Sequence, residues 1–195
     1  METHAEQLKK AFDKFDELSD VVTEDLTETI SHLNKKDCQY LRRAFFRQFF
    51  VWVEFQVHHI KQMVLIFHNT TLPVLSPEAL AVLREEQPQL DQNGVLTTRP
   101  KFLPLSRNLR FAFKVFANTF QSSYELDVSG TGWQAFRRAV DIRNRLTHPK
   151  VDATLTITDE EIVDADVAYE WMKKTVIDLF DSIDRDKVLG IPYTP

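Results

Sequence analysis

Residues 41–67 read LRRAFFRQFFVWVEFQVHHIKQMVLIF. Leu41, Phe45, Phe49, Trp52, Phe55, His59, Met63 and Ile66 step by three or four, the spacing that puts side chains on one stripe of an α-helix. Phe46, Phe50, Val53, Val57 and Val64 fall on the other side. A helix so apolar around its circumference is buried on more than one side, so the stretch predicts a long central helix placed in a hairpin and a dimer interface. Asn34 and Asp37 are candidate caps for its start, and the pattern runs to about residue 68, roughly 45 Å at 1.5 Å per residue. Arg47, Glu54, His58, His59 and Lys61 exclude it as a conventional membrane span.

The rest of the chain is helical in the same way. A first helix is expected over about residues 2–18, a short second one over 23–33, and a third over 106–120. A T-x-x-Q box at Thr131 and Gln134 predicts the start of a helix over 133–146. Thr158 with Glu161 predicts the start of a last helix reaching about residue 183. Pro73, Pro77, Pro88, Pro100 and Pro104 break up residues 70–105, expected to be an irregular insert with a short helix at 77–86 and a turn at Asn93-Gly94. Four glycines against fifteen phenylalanines fit long helices better than a turn-rich β fold. The expected fold is all-α: one helical-bundle domain over 1–195, its core about 37–68 and 106–183.

Composition excludes several functions. Cys38 is the only cysteine, so neither a disulfide framework nor a cysteine zinc site is available, and a reducing compartment is expected. The polar first ten residues do not read as a signal peptide; a cytoplasmic protein without membrane association is expected. Net charge is −5, unevenly placed. Arg137, Arg138, Arg143, Arg145 and Lys150 face one acid, Asp141, over residues 134–150, whereas acids dominate from Asp159 to Asp186. Such a local field can hold a polyanion despite the total, although solvated helix faces explain it equally well.

Chemistry is concentrated in Asp141-Ile142-Arg143-Asn144-Arg145-Leu146-Thr147-His148-Pro149-Lys150. Trp133, Phe136 and Val140 form an apolar face, and three more residues lead to Arg143, at its edge. A guanidinium there needs a partner: an acid, a carbonyl or an anion. Arg137, Arg138 and Arg145 lie three or four residues from Asp141 and read as surface ion pairs with it. His148 precedes Pro149, which disfavours the α conformation before it, so the helix should end at Thr147 and His148 should swing off the axis. Arginine supplies a permanently charged fork for phosphate; histidine moves protons near neutral pH.

The Arg143-Asn144-x-x-x-His148 segment resembles the signature of HEPN domains, all-α nucleotide-binding and ribonuclease modules with an R-x(4–6)-H motif and a polar residue after the arginine. The surrounding residues from Trp133 to Lys150 are similar to stand-alone bacterial members, and the long helix with Glu54 and Lys61 resembles the family's first core helix. The resemblance covers the long helix and about residues 106–183, not the N-terminal helices or the insert. It implies a metal-independent endoribonuclease of toxin or phage-defence type, a homodimer with a composite site acting on RNA, with an antitoxin or defence-system protein as a possible partner. Arg143 and His148 would be catalytic, Asn144 would orient the phosphate or the histidine, and Glu54, Lys61, Asp141, Arg145 and Lys150 are candidate supporting residues. No cofactor or metal is implied.

Plainer readings stand beside it. Arg143 can be an ion-pair partner of Glu54, His148 an ordinary helix C-terminal residue, and the whole a non-catalytic module binding nucleotide or a protein. His58 and His59 lack the H-E-x-x-H pattern and read as helix packing rather than metal ligands. Gly130-x-Gly132 lacks the lysine and strand context of a phosphate loop, and no Ser/His/Asp hydrolase motif is present.

Overall fold

The computed structural model describes residues 3–70, 75–151 and 154–184. Among them are six helices and one two-stranded sheet: α1 (His4–Lys35), α2 (Gln39–Thr70), α3 (Pro77–Leu83), β1 (Glu86–Leu90), β2 (Leu96–Pro100), α4 (Leu105–Thr119), α5 (Thr131–Thr147) and α6 (Asp159–Asp181). The architecture is all-α. Pro73 and Asp186, which entered the sequence reading, lie outside the described residues.

Helices α1 and α2 form an antiparallel hairpin about 48 Å long at 1.5 Å per residue. Two expected helices at 2–18 and 23–33 are one continuous helix instead. The join is held against α2 by side chains: Trp52 Nε1 donates to Thr23 Oγ1 at 3.1 Å, and Gln56 Nε2 reaches Ser19 Oγ at 3.4 Å. Asn34 is inside α1, and the Asp37 carboxylate is occupied by Arg42 rather than capping α2. Helices α4, α5 and α6 cover the rest of α2, and its Phe46, Phe49, Val53, Ile60 and Val64 are completely buried.

Residues 86–100, expected to be irregular, form an antiparallel hairpin in which Glu86 pairs with Pro100 and Leu90 with Leu96. Its strands are mostly exposed and carry two prolines, so no apolar alternation marked them. The turn does form at Asn93-Gly94: Gly94 takes φ +76°, and Asp91 Oδ1 accepts from Asn93 N and Val95 N, both at 2.8 Å. At the hairpin's root, buried Lys61 of α2 donates to Glu85 Oε1 at 2.7 Å and to Asn108 Oδ1 of α4 at 3.2 Å; Asn108 Nδ2 closes the triangle on Glu85 Oε1 at 2.9 Å. Glu85 has φ +55°, a left-handed conformation that a side chain adopts at a cost, and this network holds it there.

Helix α5 starts from Gly130 without the Thr131–Gln134 box; Asp127 Oδ1 instead orders the preceding loop by accepting from Ser129 N and Gly130 N. The Thr158–Glu161 box of α6 does form. Helices α5 and α6 meet at Gly132, where an added Cβ would lie 2.4 Å from Trp171 ring atoms and 2.6 Å from its Cβ. The seam is closed by Arg138 on Asp164 (2.6 Å, bidentate) and Arg145 on Glu161 (2.8 and 3.1 Å). These arginines therefore pair across to α6, not with Asp141 on their own helix: the seam brings α6 carboxylates within reach.

Two stability predictions follow from this packing. In Gly132→Ala, a gain in helix propensity of at most about 1 kcal/mol competes with overpacking of about 1–3 kcal/mol against a ring that cannot swing clear. Urea unfolding should show a net loss of up to about 2 kcal/mol. In the Lys61 triangle the two removals should differ. Glu85→Gln leaves a buried ammonium without its anion and should cost about 3 kcal/mol, whereas Lys61→Met leaves a half-exposed carboxylate that water can solvate and should cost about half as much. Burial works against ionising Glu85, but hydrogen bonds from Lys61 and Asn108 outweigh it and hold its carboxyl below the usual range. Its contribution is thus present above the ordinary glutamate pKa and is lost as pH falls through the depressed one; unfolding curves between pH 6 and 3 should show Glu85→Gln losing less stability than wild type.

Candidate functional site

Helix α2 is covered everywhere except along one stripe. Arg47, Val51, Glu54 and His58, spaced four, three and four, are exposed along it. Helix α5 runs beside this stripe with Phe136, Ala139, Ile142 and Leu146 buried, which places Arg143 at the margin of the packed face. Its side chain, 23% exposed, spans the gap: Nη2 donates to Glu54 Oε1, and Nη1 donates to Asn144 Oδ1 at 3.2 Å. The expected need of Arg143 for a partner is met by α2.

This ion pair forms the wall between two adjoining clefts. One, of about 320 Å³, is lined by Glu54, Val57 and His58 of α2, Glu85, Phe102, Leu103 and the start of α4. The other, about 290 Å³ and less polar, lies between Phe46, Arg47, Phe50 and Val51 of α2 and Leu146 and Thr147 of α5. Glu54 and Arg143 line both. With Glu54 nearly half exposed, such a pair is worth about 0–1 kcal/mol. An anion can therefore compete for Arg143 at small cost, using N–H donors that neither Glu54 nor Asn144 engages.

Helix α5 ends at Thr147, as expected. His148 leaves the α region at φ −127°, ψ 63°, its N–H bonded to Asn144 O at 2.9 Å, and its ring is exposed. It lines neither cleft. Asn144, Asp141 and Lys150 are exposed; Arg145 is committed to Glu161 and to Thr156 O (3.3 Å) on the α6 side. Lys61 is buried behind Glu85 instead of beside Arg143. The geometry thus joins Arg143, Glu54 and Asn144 and leaves His148 at the rim of the helix end.

Four residues of the larger cleft had not been singled out as site residues. His58 sits one turn after Glu54 on the exposed stripe, a spacing visible in the sequence. Partial desolvation of its ring, then neighbouring His59 and Lys61, hold its pKa below the usual value against the opposing pull of Glu85. Glu85, Phe102 and Asn108 come from chain segments far from the motif, and no local pattern marks them. Among the described residues no group of three or more His, Cys, Asp or Glu is placed to hold a metal ion, and no helix is long and apolar enough to cross a membrane. No protein-family model, curated protein or solved structure matches the chain.

Proposed function

We propose that the chain is a HEPN-type, metal-independent endoribonuclease of the toxin or phage-defence kind, working as a homodimer. The observation that carries this reading is the position of Arg143: a permanently charged fork at the common wall of two clefts, on a helix whose next exposed turn ends in a histidine. In the reaction, one His148 takes the proton of a ribose 2′-OH, and O2′ attacks the adjacent phosphorus. The P–O5′ bond breaks, and the O5′ leaving group takes a proton from His148 of the partner subunit. Arg143 offsets the charge that builds on the phosphoryl oxygens, and Asn144 fixes the guanidinium. Products are a 2′,3′-cyclic phosphate and a 5′-hydroxyl. Two copies are needed because one exposed His148 cannot act on both oxygens; the exposed Val51 and Arg47 stripe beside the second cleft is the surface on which they would meet.

The Glu54–Arg143–Asn144 hydrogen bonding, which gives Arg143 an ordinary ion-pair partner, favours a second reading, a non-catalytic helical module that binds nucleotide or a protein partner. RNA cleavage separates the two. Wild type should cut single-stranded RNA in the presence of EDTA, and Arg143→Ala and His148→Ala should each lower the rate at least a hundredfold. Absence of cleavage by wild type, or cleavage undiminished in both variants, would sink the ribonuclease reading. Light scattering should give twice the 22.8 kDa chain mass; a monomer that still cuts RNA would exclude the composite site.

A further inference from the structure

We propose that the 320 Å³ cleft is a guanine-selective pocket for the nucleotide whose phosphate Arg143 holds. The proposal deepens the preceding one and rests only on Arg143 taking a phosphate, with or without cleavage. Three different handles line the cleft. Phe102, at the foot of the hairpin, is 86% exposed, an unfavourable place for a phenyl ring that finds little cover among the described residues. Exposed aromatic rings beside cationic side chains are how single-stranded bases are held by stacking. Arg143 supplies the cation from the wall.

The third handle is the carboxylate Glu85. Both of its hydrogen bonds, from Lys61 Nζ and Asn108 Nδ2, fall on Oε1. Among the described residues Oε2 carries none. Lys61 keeps the group ionised, so the cleft holds an acceptor that cannot become a donor at neutral pH. Glu54 is a second carboxylate in the same cleft, with Arg143 on Oε1 alone. The pocket therefore offers acceptors where a base edge would sit. Guanine is the one common RNA base whose Watson–Crick edge has two adjacent donors, N1–H and N2–H. Adenine and cytosine place an acceptor ring nitrogen next to their amino group, and uracil flanks its single N–H with carbonyls. Lone pairs of those acceptors would face carboxylate oxygens. The pocket's own charges cancel: Glu54 against Arg143 and Glu85 against Lys61, so an anionic nucleotide meets no net repulsion.

Binding by calorimetry reads this without any turnover, using the 3′-monophosphates of guanosine, adenosine, cytidine and uridine as probes. Wild type should bind the guanosine nucleotide at least fivefold more tightly than the other three. Phe102→Ala should weaken it about tenfold, and Phe102→Trp should restore it. Because Phe102 is exposed, neither substitution threatens the fold. Equal affinity for the four nucleotides, no binding at all, or an unchanged affinity in Phe102→Ala would overturn the pocket. If guanosine binding holds while wild type leaves RNA uncut, the ribonuclease reading fails and the pocket stands.

Discussion

Helix α2 is apolar around most of its circumference, and every other part of the bundle is placed by the need to cover it. A helix with Phe46, Phe49, Phe50, Val53, Ile60 and Val64 all buried belongs inside: at about 1.5–3 kcal/mol per large apolar side chain, exposing these six would cost about 9–18 kcal/mol, comparable to the stability of a typical domain. Helix α1 takes one flank, α4 another, and the α5–α6 pair a third. The start of α2 also clamps the segment leading into α6. Gln39 exchanges two 2.8 Å hydrogen bonds with the backbone of Ile157, and Arg42 joins them. Coverage stops at one stripe, and that stripe carries Glu54 and His58. The candidate site is thus the place where the bundle does not close.

Electrostatics divides the charges near that gap into two kinds. Lys61 and Glu85 are structural: one is fully buried, the other is held in a strained backbone conformation, and together they tie the hairpin root to α2 and α4. Arg143 and Glu54 are partly solvated and weakly bound to each other, so their pairing can be exchanged for a ligand. Arg138 and Arg145, close to Arg143 in sequence, belong to the α5–α6 seam. Of the basic cluster at residues 137–150, the fold leaves only Arg143 on a cleft wall.

Much of the fold was legible because helical periodicity is local. The long helix, the α6 capping box and the end of α5 at Thr147 follow from residues within a turn or two of each other. The continuity of α1 was not, since it depends on Trp52 and Gln56 reaching Thr23 and Ser19 from another helix. The hairpin was missed for a different reason: its strands face solvent and lack the alternation that burial of one side imposes. At the site, the placement of Arg143 on the packed margin could be read from Phe136 and Val140. Lys61 as partner of Glu85 and Asn108 could not, because those contacts join residues 24 and 47 positions apart through tertiary packing alone.

The close approach of α5 and α6 has an optical consequence. Trp171 rests on Gly132 and stands edge-on to Trp133, with ring centroids 5.6 Å apart and planes at 61°. Two indoles so near and so inclined couple their excited states, and the coupling exists only while the helices are docked. The third tryptophan, Trp52, is hydrogen-bonded to Thr23 in the α1–α2 hairpin and stands edge-on to Tyr169 of α6, ring centroids 6.1 Å apart. Near-ultraviolet circular dichroism can therefore follow the docking of α5 on α6 without an added label.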